Sequence, residues 1–258
     1  RIDRPKALEK LSAFSLERGE QFLLPLARCA AAAGARQLTV KGQSALNVNF
    51  DGAPFSKEEL EDPYGALFIE DAEPRLRHFA AFLLGALRTR PRDVLVSSGR
   101  ADRRFRLRTV GLEGESVEPD GSRDVRTTID VRWGPLRWFK AAGPAKAAAR
   151  EAWVMTPAGF TVDGAAPQRR PAPARLVRIQ ERGGLRLRLE AHDDPAETLI
   201  TFCSFGVAVE TVKTLLPDGQ VRAWVNDDAF TLTASQSAVV EDAHRQKALD
   251  AVASADAG

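Results

Sequence analysis

The sequence feature that most constrains the fold is the stretch 23–67, in which helix, strand and turn patterns follow one another without long gaps. Apolar residues at spacings of three and four predict an amphipathic helix over residues 17–33. Gly34 is a natural end for this helix, because glycine readily adopts the left-handed conformation that follows a last helical turn. Pro25 lies inside the pattern, where it either kinks the helix or marks its true start.

Two alternating runs follow the helix, Gln37–Lys41 and Ala45–Phe50, and they predict two strands joined by a tight turn. The chain then turns at Asp51-Gly52. The segment Ser56–Glu59 has a serine followed three residues later by a glutamate, a capping-box pattern that should begin a short helix. This order of a helix, a hairpin and a second helix predicts an α/β protein.

Further helices and strands are predicted on both sides of this stretch. Residues 5–14 have a helical pattern, and residues 75–90 form the clearest amphipathic helix, which Pro91 ends. The other predicted elements are strands at 94–98, 104–108 and 125–133, a helix at 144–152 with Pro144 in its first turn, and short strands at 153–155 and 160–162.

A Pro-rich, polar segment at 168–174 is the best candidate for a domain boundary. We therefore expect one domain at 1–167 and a second part at 168–258. A closing helix is predicted at 235–253. Between the boundary and that helix, alternating runs predict a β-rich extension, with strands at 176–179, 185–189, 198–202, 207–210 and 221–225.

Composition narrows the class of function. The net charge is +2, because 37 basic residues are interspersed with 35 acidic ones, so no strong overall field favours nucleic acid or membranes. No apolar run approaches the roughly 18 residues that span a bilayer, and the first residues lack the apolar core of a signal peptide. One disulfide between Cys29 and Cys203 is possible, but two cysteines in a chain of this length favour reduced thiols and a cytoplasmic protein. The chain lacks an initiator Met, and we therefore expect either a trimmed N-terminus or a fragment of a longer protein.

The order of the helix ending at Ala33-Gly34-Ala35, the hairpin and the Asp51-Gly52 turn resembles the nucleotide pocket of the GHKL ATPases. This superfamily includes DNA gyrase B, the ninety-kilodalton heat-shock chaperone, histidine kinases and MutL. The resemblance covers roughly residues 1–165 as an order of elements. It implies a histidine-kinase-like ATPase fold, a two-layer sandwich of a mixed sheet covered by helices on one face, followed here by the β-rich extension and the C-terminal helix.

The residues at the family's catalytic positions differ from the family pattern. In the family, the first pocket helix carries a Glu that activates water, an Asn that holds magnesium and phosphate, and then an Asp. Anchored on the helix end at Ala33-Gly34-Ala35, these roles fall on Pro25, Cys29 and Ala32. Proline has no ionisable group, cysteine is a soft ligand poorly suited to Mg²⁺, and alanine offers nothing polar.

The adenine-binding motif is altered as well. Aligning Gly52 with the turn glycine of the family places Phe50 where the adenine-binding Asp should lie, with Asp51 one residue further on. A one-residue slip would restore the carboxylate, although strand alternation would then aim it at the opposite face. Asp51 is therefore either an adenine ligand or an aspartate that stabilises the turn before glycine.

The phosphate-binding motifs survive only in part. Ala80 and Phe82 stand where the resemblance implies glycines, and Thr127 is kept from a Gly-Thr pair whose glycine is lost. The remnant of the nucleotide pocket consists of Cys29, Asp51, Gly52 and Thr127. We predict a catalytically degenerate, chaperone-like pseudoenzyme that binds or scaffolds unknown protein partners and uses no cofactor. An active chaperone-type ATPase that binds ATP and Mg²⁺ through Asp51 and Thr127 is the alternative.

Three other groups of residues have functional and structural interpretations. Arg104, Arg106 and Arg108 share one strand face, which either meets the phosphates of nucleic acid, the last-ranked function, or is a solvated face with acids nearby. The three histidines are scattered without ligand spacing, so no metal site is predicted, and Asp193 and Asp194 beside His192 predict a turn. The segment Asp62-Pro63-Tyr64 is either a lid or partner-facing turn, because Tyr64 is the only tyrosine, or an N-terminal turn.

Overall fold

The computed structural model describes residues 4–14, 19–100, 102–112, 114–134, 137–157, 159–166, 176–182, 184–191, 198–214 and 221–256. The helices within these residues are α1 (Arg4–Phe14), α2 (Leu23–Ala32), α3 (Lys57–Glu61), α4 (Pro74–Arg88), α5 (Trp138–Ala152) and α6 (Ala243–Asp256). The strands are β1 (Gln37–Lys41), β2 (Ala45–Phe50), β3 (Asp93–Arg100), β4 (Arg103–Thr109), β5 (Ser116–Pro119), β6 (Thr127–Arg132), β7 (Gly159–Val162), β8 (Leu176–Arg182), β9 (Leu185–Ala191), β10 (Thr198–Ser204), β11 (Val207–Thr214) and β12 (Val221–Asn226). None of the helices in this part of the chain has the length and apolarity to cross a bilayer.

The strands form two mixed sheets, as predicted for an α/β protein. The first sheet has the order β5-β4-β3-β6-β2-β1-β7, in which only β1 and β7 pair in parallel among the described strands. Val48 on β2 lies opposite Ile129 on β6, and both side chains are buried under the helices. The second sheet has the order β11-β10-β12-β9-β8, and α6 packs its small and branched residues against it. The chain is therefore an α/β sandwich with a C-terminal helix.

The end of α2 is built by its own sequence. Gly34 adopts a left-handed φ of 75°, its amide donates to the carbonyl of Ala31, and the amide of Ala35 donates to the carbonyl of Ala30. These two hydrogen bonds make the Schellman motif that glycine favours at a helix end. The predicted capping box at the start of α3 is also present, because Ser56 and Glu59 each accept a hydrogen bond from the other's amide. Both predictions are confirmed.

The helices α2 and α4 are buried on more than one side. All residues from His78 to Ala86 of α4 are buried, and so are those from Pro25 to Ala30 of α2. The first sheet covers one side, and the turn between β10 and β11 covers another, where the ring of Phe205 meets that of His78 at 5.4 Å between centroids. The buried stretches are mostly apolar, although α2 includes Arg28 and α4 includes His78. The amphipathic stripe predicted for 75–90 is therefore only part of the buried surface.

Three sequence predictions differ from the structure. Pro144 lies inside α5, which begins at Trp138, and a buried row of alanines that includes Ala145 and Ala149 holds the helix against the core despite the lost backbone hydrogen bond. Residues 153–155 form a bend instead of a strand. The closing helix begins at 243 instead of 235, because the hydroxyl groups before it bond to one another and to the backbone in turns. The predicted boundary at 168–174 lies outside the described residues.

Candidate functional site

The candidate site, called the cleft below, is the region between α2, α4 and the first sheet to which the sequence resemblance assigns the nucleotide. In the structure this region is part of the core and holds a row of contacting aromatic rings. The ring of Phe55 stacks on that of Phe79 with 4.3 Å between centroids, Phe79 stacks on Phe82 at 6.3 Å, and Phe82 meets Phe22 at 6.1 Å. These four side chains are at most 1% exposed. Because protein interiors are close-packed, rings in this arrangement occupy the volume that a bound purine or triphosphate would need.

Hydrogen bonds hold Phe55 in the cleft. Its amide donates to the hydroxyl oxygen of Ser98 (2.9 Å), which lies 2.7 Å from the hydroxyl oxygen of Thr127. Both hydroxyl groups are buried, and Thr127 lies directly opposite Phe50 on the neighbouring strand. Thr127, which the sequence assigned to the pocket, therefore belongs to a network that positions a core ring. Sequence reasoning missed Ser98, although two adjacent serines in the apolar strand 94–98 were a signal.

Arg75 closes the outer side of the same cluster. Its guanidinium lies 5.2 Å from the centroid of the Phe55 ring and donates to Glu59 (2.6 Å) and Glu73 (2.8 Å). Burial lowers the pKa of Arg75, but the hydrogen bonds that it donates to Glu73 and Glu59 outweigh this effect, so the pKa is raised overall. Glu59 thus links the capping box of α3 to the entrance of the cleft. The pairing of Arg75 with Glu59 could not be predicted from the sequence, because the two residues lie on different helices.

Asp51 and Gly52 stabilise the junction between α2 and the hairpin. One carboxylate oxygen of Asp51 accepts hydrogen bonds from the amides of Arg36 (2.9 Å) and Gln37 (2.7 Å). Gly52 has a φ of 116°, and a Cβ atom at this position would lie 2.7 Å from the carbonyl oxygen of Ala33. Glycine is required here by a close approach of two backbone segments. This geometry agrees with the turn-stabilising interpretation of Asp51.

The three positions of the family's catalytic helix offer no acid or base in the structure. Pro25 and Cys29 are buried, and Ala32 is half-buried. Burial raises the pKa of the Cys29 thiol well above its ordinary value, so the thiol stays protonated and does not act as a thiolate ligand. Cys29 and Cys203 are both free. The structure therefore places Cys29 in α2, Asp51 and Gly52 just after the end of that helix, and Thr127 in the sheet opposite Phe50.

Tyr64 faces the interior. Its side chain is 2% exposed, and burial raises its pKa above the ordinary value. Pro63 beside it is also buried. The segment Asp62-Pro63-Tyr64 is thus a packed turn leading into the short 3-10 helix Gly65–Phe68, and the interpretation of Tyr64 as a partner-facing residue is wrong.

The arginine face of β4 is neutralised by aspartates. Arg104, expected on a solvated face, is instead 1% exposed, because the segment after β5 covers it and Asp120 accepts from its Nε at 2.9 Å. Asp120 also accepts from Arg106 (2.8 Å). Burial alone would raise the pKa of Asp120, but hydrogen bonds, including those from the Ser122 amide and Arg104, lower it overall. The acids that were expected nearby are present, and this leaves little unpaired positive charge for nucleic acid.

Asp93 forms ion pairs with two further arginines of the first sheet, Arg108 and Arg132. Arg132 binds it through two hydrogen bonds of 2.6 Å each, and Arg108 lies 3.4 Å away. The hydrogen bonds from Arg132 hold the pKa of Asp93 below its usual value. A bidentate arginine–aspartate pair fixes the geometry of both side chains. These residues therefore stabilise the sheet.

The described histidines are not arranged as metal ligands. His78 is buried next to Phe205, and burial together with the charge of Arg28 lowers its pKa to about 3. His244 lies 3.8 Å from Asp227 at the start of α6. Within the part of the chain that the structure covers, no group of three His, Cys, Asp or Glu side chains is placed to hold a metal ion. His192, Asp193 and Asp194 lie outside the described residues.

Comparison with known proteins gives no family assignment. No protein-family model matches the chain, and no curated protein matches it either. The resemblance to the GHKL ATPases therefore rests on the order of elements and the residues quoted for it. The geometry of the cleft is the main basis for a functional conclusion.

Proposed function

We propose that this protein is a degenerate, chaperone-type GHKL-like module that does not hydrolyse nucleotide and acts by binding or scaffolding a protein partner. The observation that carries the proposal is the filled cleft. Phe55 occupies it, stacked on Phe79 and tied by its amide to Ser98. A ring that is packed on one side and hydrogen-bonded at its backbone leaves no room for an adenine without local unfolding.

The polar residues of the pocket remnant support the same conclusion. Asp51 already accepts two backbone hydrogen bonds, and the hydroxyl of Thr127 is paired with that of Ser98. A nucleotide group that replaced one of these bonds would leave a structural donor without its partner. The Cys29 thiol is protonated and buried, and it is a poor ligand for Mg²⁺.

The open face of the first sheet is the surface that we assign to a protein partner. On β2 and β6, alternate residues point away from the helices and are part-exposed. Asn47 on β2 donates to Asp130 on β6 (2.8 Å) and accepts from Asn49 (2.5 Å). A face whose side chains are held by their neighbours loses little conformational freedom when it meets a partner.

Two measurements test the loss of nucleotide function. Titration calorimetry with adenosine detects an adenine-binding pocket. Because adenosine carries no phosphate, it does not bind to basic surface sites through charge. We expect no saturable heat with adenosine and no phosphate release from Mg-ATP above the buffer rate. Micromolar binding of adenosine or turnover of ATP by the wild type would overturn the proposal if Asp51→Asn abolishes it. The circular dichroism of the variant must match that of the wild type, and the ATPase alternative would then be established.

A further inference from the structure

The turn between β10 and β11, Phe205–Val207, joins the second part of the chain to the helices of the first, and this contact is called the joint below. The amide of Met155, just after α5, donates to the carbonyl of Gly206 (2.9 Å). A Cβ atom at Gly206 would lie 2.6 Å from the carbonyl of Met155, and Val207 is fully buried in the first hydrophobic core. The turn is therefore inserted tightly into the first part.

Arg28 of α2 carries a buried positive charge at the joint. Its side chain is 1% exposed, and the ion pairs of the described residues do not include it. The guanidinium donates to two neutral oxygens, those of the Gln236 side chain (3.0 Å) and the Ala208 carbonyl (3.2 Å). Both acceptors belong to the second part, so Arg28 keeps these partners only while the joint is closed. A buried charge that no carboxylate balances is costly to hold out of water.

His78 of α4 is a second basic side chain buried at the joint. It is 8% exposed, its ring meets that of Phe205 edge-on at 5.4 Å between centroids, and its Nδ1 atom has no hydrogen-bond partner among the described residues. The charges that act on the imidazole are those of Arg28 and of Arg77 on α4 itself, and the turn adds the uncharged ring of Phe205. Burial, together with these two charges, lowers the pKa of His78 to about 3. A proton added here would create a second buried cation beside the first.

The turn is held to its own sheet by bonds that do not involve the first part. The amide of Phe205 donates to the carboxylate of Asp228 (2.9 Å), and the amide of Gly206 donates to the side chain of Asn226 (2.6 Å). Asn226 also donates to Asp228 (2.9 Å). The turn can therefore leave α2 and α4 while it keeps its own structure, so the joint can open without unfolding of either part.

We propose that the joint is a proton-sensitive latch, in which protonation of His78 beside the Arg28 guanidinium releases the turn from α2 and α4. In the closed joint an imidazolium meets burial and like charges, whereas in the open joint water solvates it. The open state therefore binds the proton more tightly, and proton uptake shifts the joint toward opening. Opening exposes Phe205 and Val207, so the apolar surface that the protein presents depends on pH. The latch uses none of the stacked rings of the cleft and is independent of the proposed loss of ATP hydrolysis.

Two buried cysteines separate opening of the joint from global unfolding. Cys203 lies opposite Ala208 beside the turn, and the charge of Arg28 acts on its thiol, whereas Cys29 lies in the core of the first part. Both thiols are free and fully buried. The reagent dithiodipyridine labels Cys203 in the variant Cys29→Ala and Cys29 in the variant Cys203→Ala. We expect Cys203 to be labelled at least about tenfold faster, with little dependence on low urea concentrations, because a local opening exposes less surface than unfolding.

The pH dependence of labelling tests the role of His78. Each rate is divided by that of the urea-unfolded chain at the same pH, which removes the intrinsic reactivity of the thiol. A pKa of about 6.5 in the open joint and about 3 in the closed joint predicts that the corrected labelling of Cys203 rises about thirtyfold between pH 7.5 and pH 5. His78→Gln should abolish this rise. His244→Gln is the matched control, because it removes a histidine whose side chain is 52% exposed, and it should keep the rise.

Gln236→Ala tests the latch in a chain that keeps His78. The loss of an acceptor for the Arg28 guanidinium should raise the labelling of Cys203 about tenfold at every pH, without changing the ratio between pH 7.5 and pH 5. The proposal is overturned if Cys203 and Cys29 are labelled at equal rates with equal urea dependence, or if the labelling of Cys203 does not rise with acid. Persistence of the rise in His78→Gln, or its loss in His244→Gln, would overturn it as well.

Discussion

The cleft is the centre of the functional proposal, and Phe55→Ala tests its packing directly. Phe55 is 1% exposed, lies 4.3 Å from Phe79 between ring centroids, and carries the Arg75 guanidinium 5.2 Å from its ring. Truncating a fully buried phenylalanine removes its transfer free energy and leaves a cavity, which together cost about 3–5 kcal/mol. The lost stacking places the expected value in the upper part of that range. For a chain of this size, the melting temperature should fall by about 10 °C.

Thermal and urea denaturation, followed by circular dichroism, measure this loss. Phe139→Ala is the matched control, because it makes the same chemical change at a side chain that is 64% exposed, and it should change the free energy of unfolding by less than about 0.5 kcal/mol. Equal effects of the two substitutions would show that the rings in the cleft are not packed as the structure has them.

Three further predictions concern glycine geometry, a buried ion pair and a buried histidine. Gly52→Ala should lower the free energy of unfolding by about 3 kcal/mol, because the new Cβ atom would lie 2.7 Å from the Ala33 carbonyl oxygen in a strained backbone. A decrease below about 1 kcal/mol in urea titration would contradict this close approach. Asp120→Ala should lower the free energy of unfolding by about 3–5 kcal/mol in the same assay, because it leaves the buried Arg104 guanidinium without its carboxylate. An unchanged urea midpoint would show that the Arg104 guanidinium is not buried against Asp120. His78 has a folded pKa of about 3, below its unfolded value of about 6.5, so the unfolded chain binds the extra proton and stability falls as the pH is lowered from about 6.5. Denaturation at pH 7, 6 and 5 should show that His78 lowers the free energy of unfolding by up to about 1.4 kcal/mol per pH unit, and His78→Gln should lack this contribution. If the free energy of unfolding of His78→Gln depends on pH as steeply as that of the wild type, the lowered pKa of His78 is refuted.

The sequence alone determined the elements whose signals lie within a few residues of one another. The helix end at Gly34, the hairpin of β1 and β2, and the capping box of Ser56 and Glu59 each depend on neighbouring side chains and backbone groups. Strand alternation likewise located the five strands of the second sheet. These features were predictable because propensity, capping and turn geometry act locally.

The interior of the candidate site could not be predicted in this way. Strand alternation placed Arg104 on an outer face, yet Asp120, sixteen positions away, buries it. Thr127 gave no indication that it would meet Ser98 and so hold Phe55 in place.

Only the tertiary structure decided that the cleft is filled and that α2 and α4 are enclosed on several sides. Arg28 shows the physical reason most directly, because its guanidinium donates to Ala208 and Gln236, 180 and 208 positions further along the chain. Burial lowers the pKa of Arg28 to about 10. Whether a side chain is buried depends on which distant segments pack against it. A local sequence pattern predicts which face of a helix or strand a residue lies on, but it does not predict which segment covers that face.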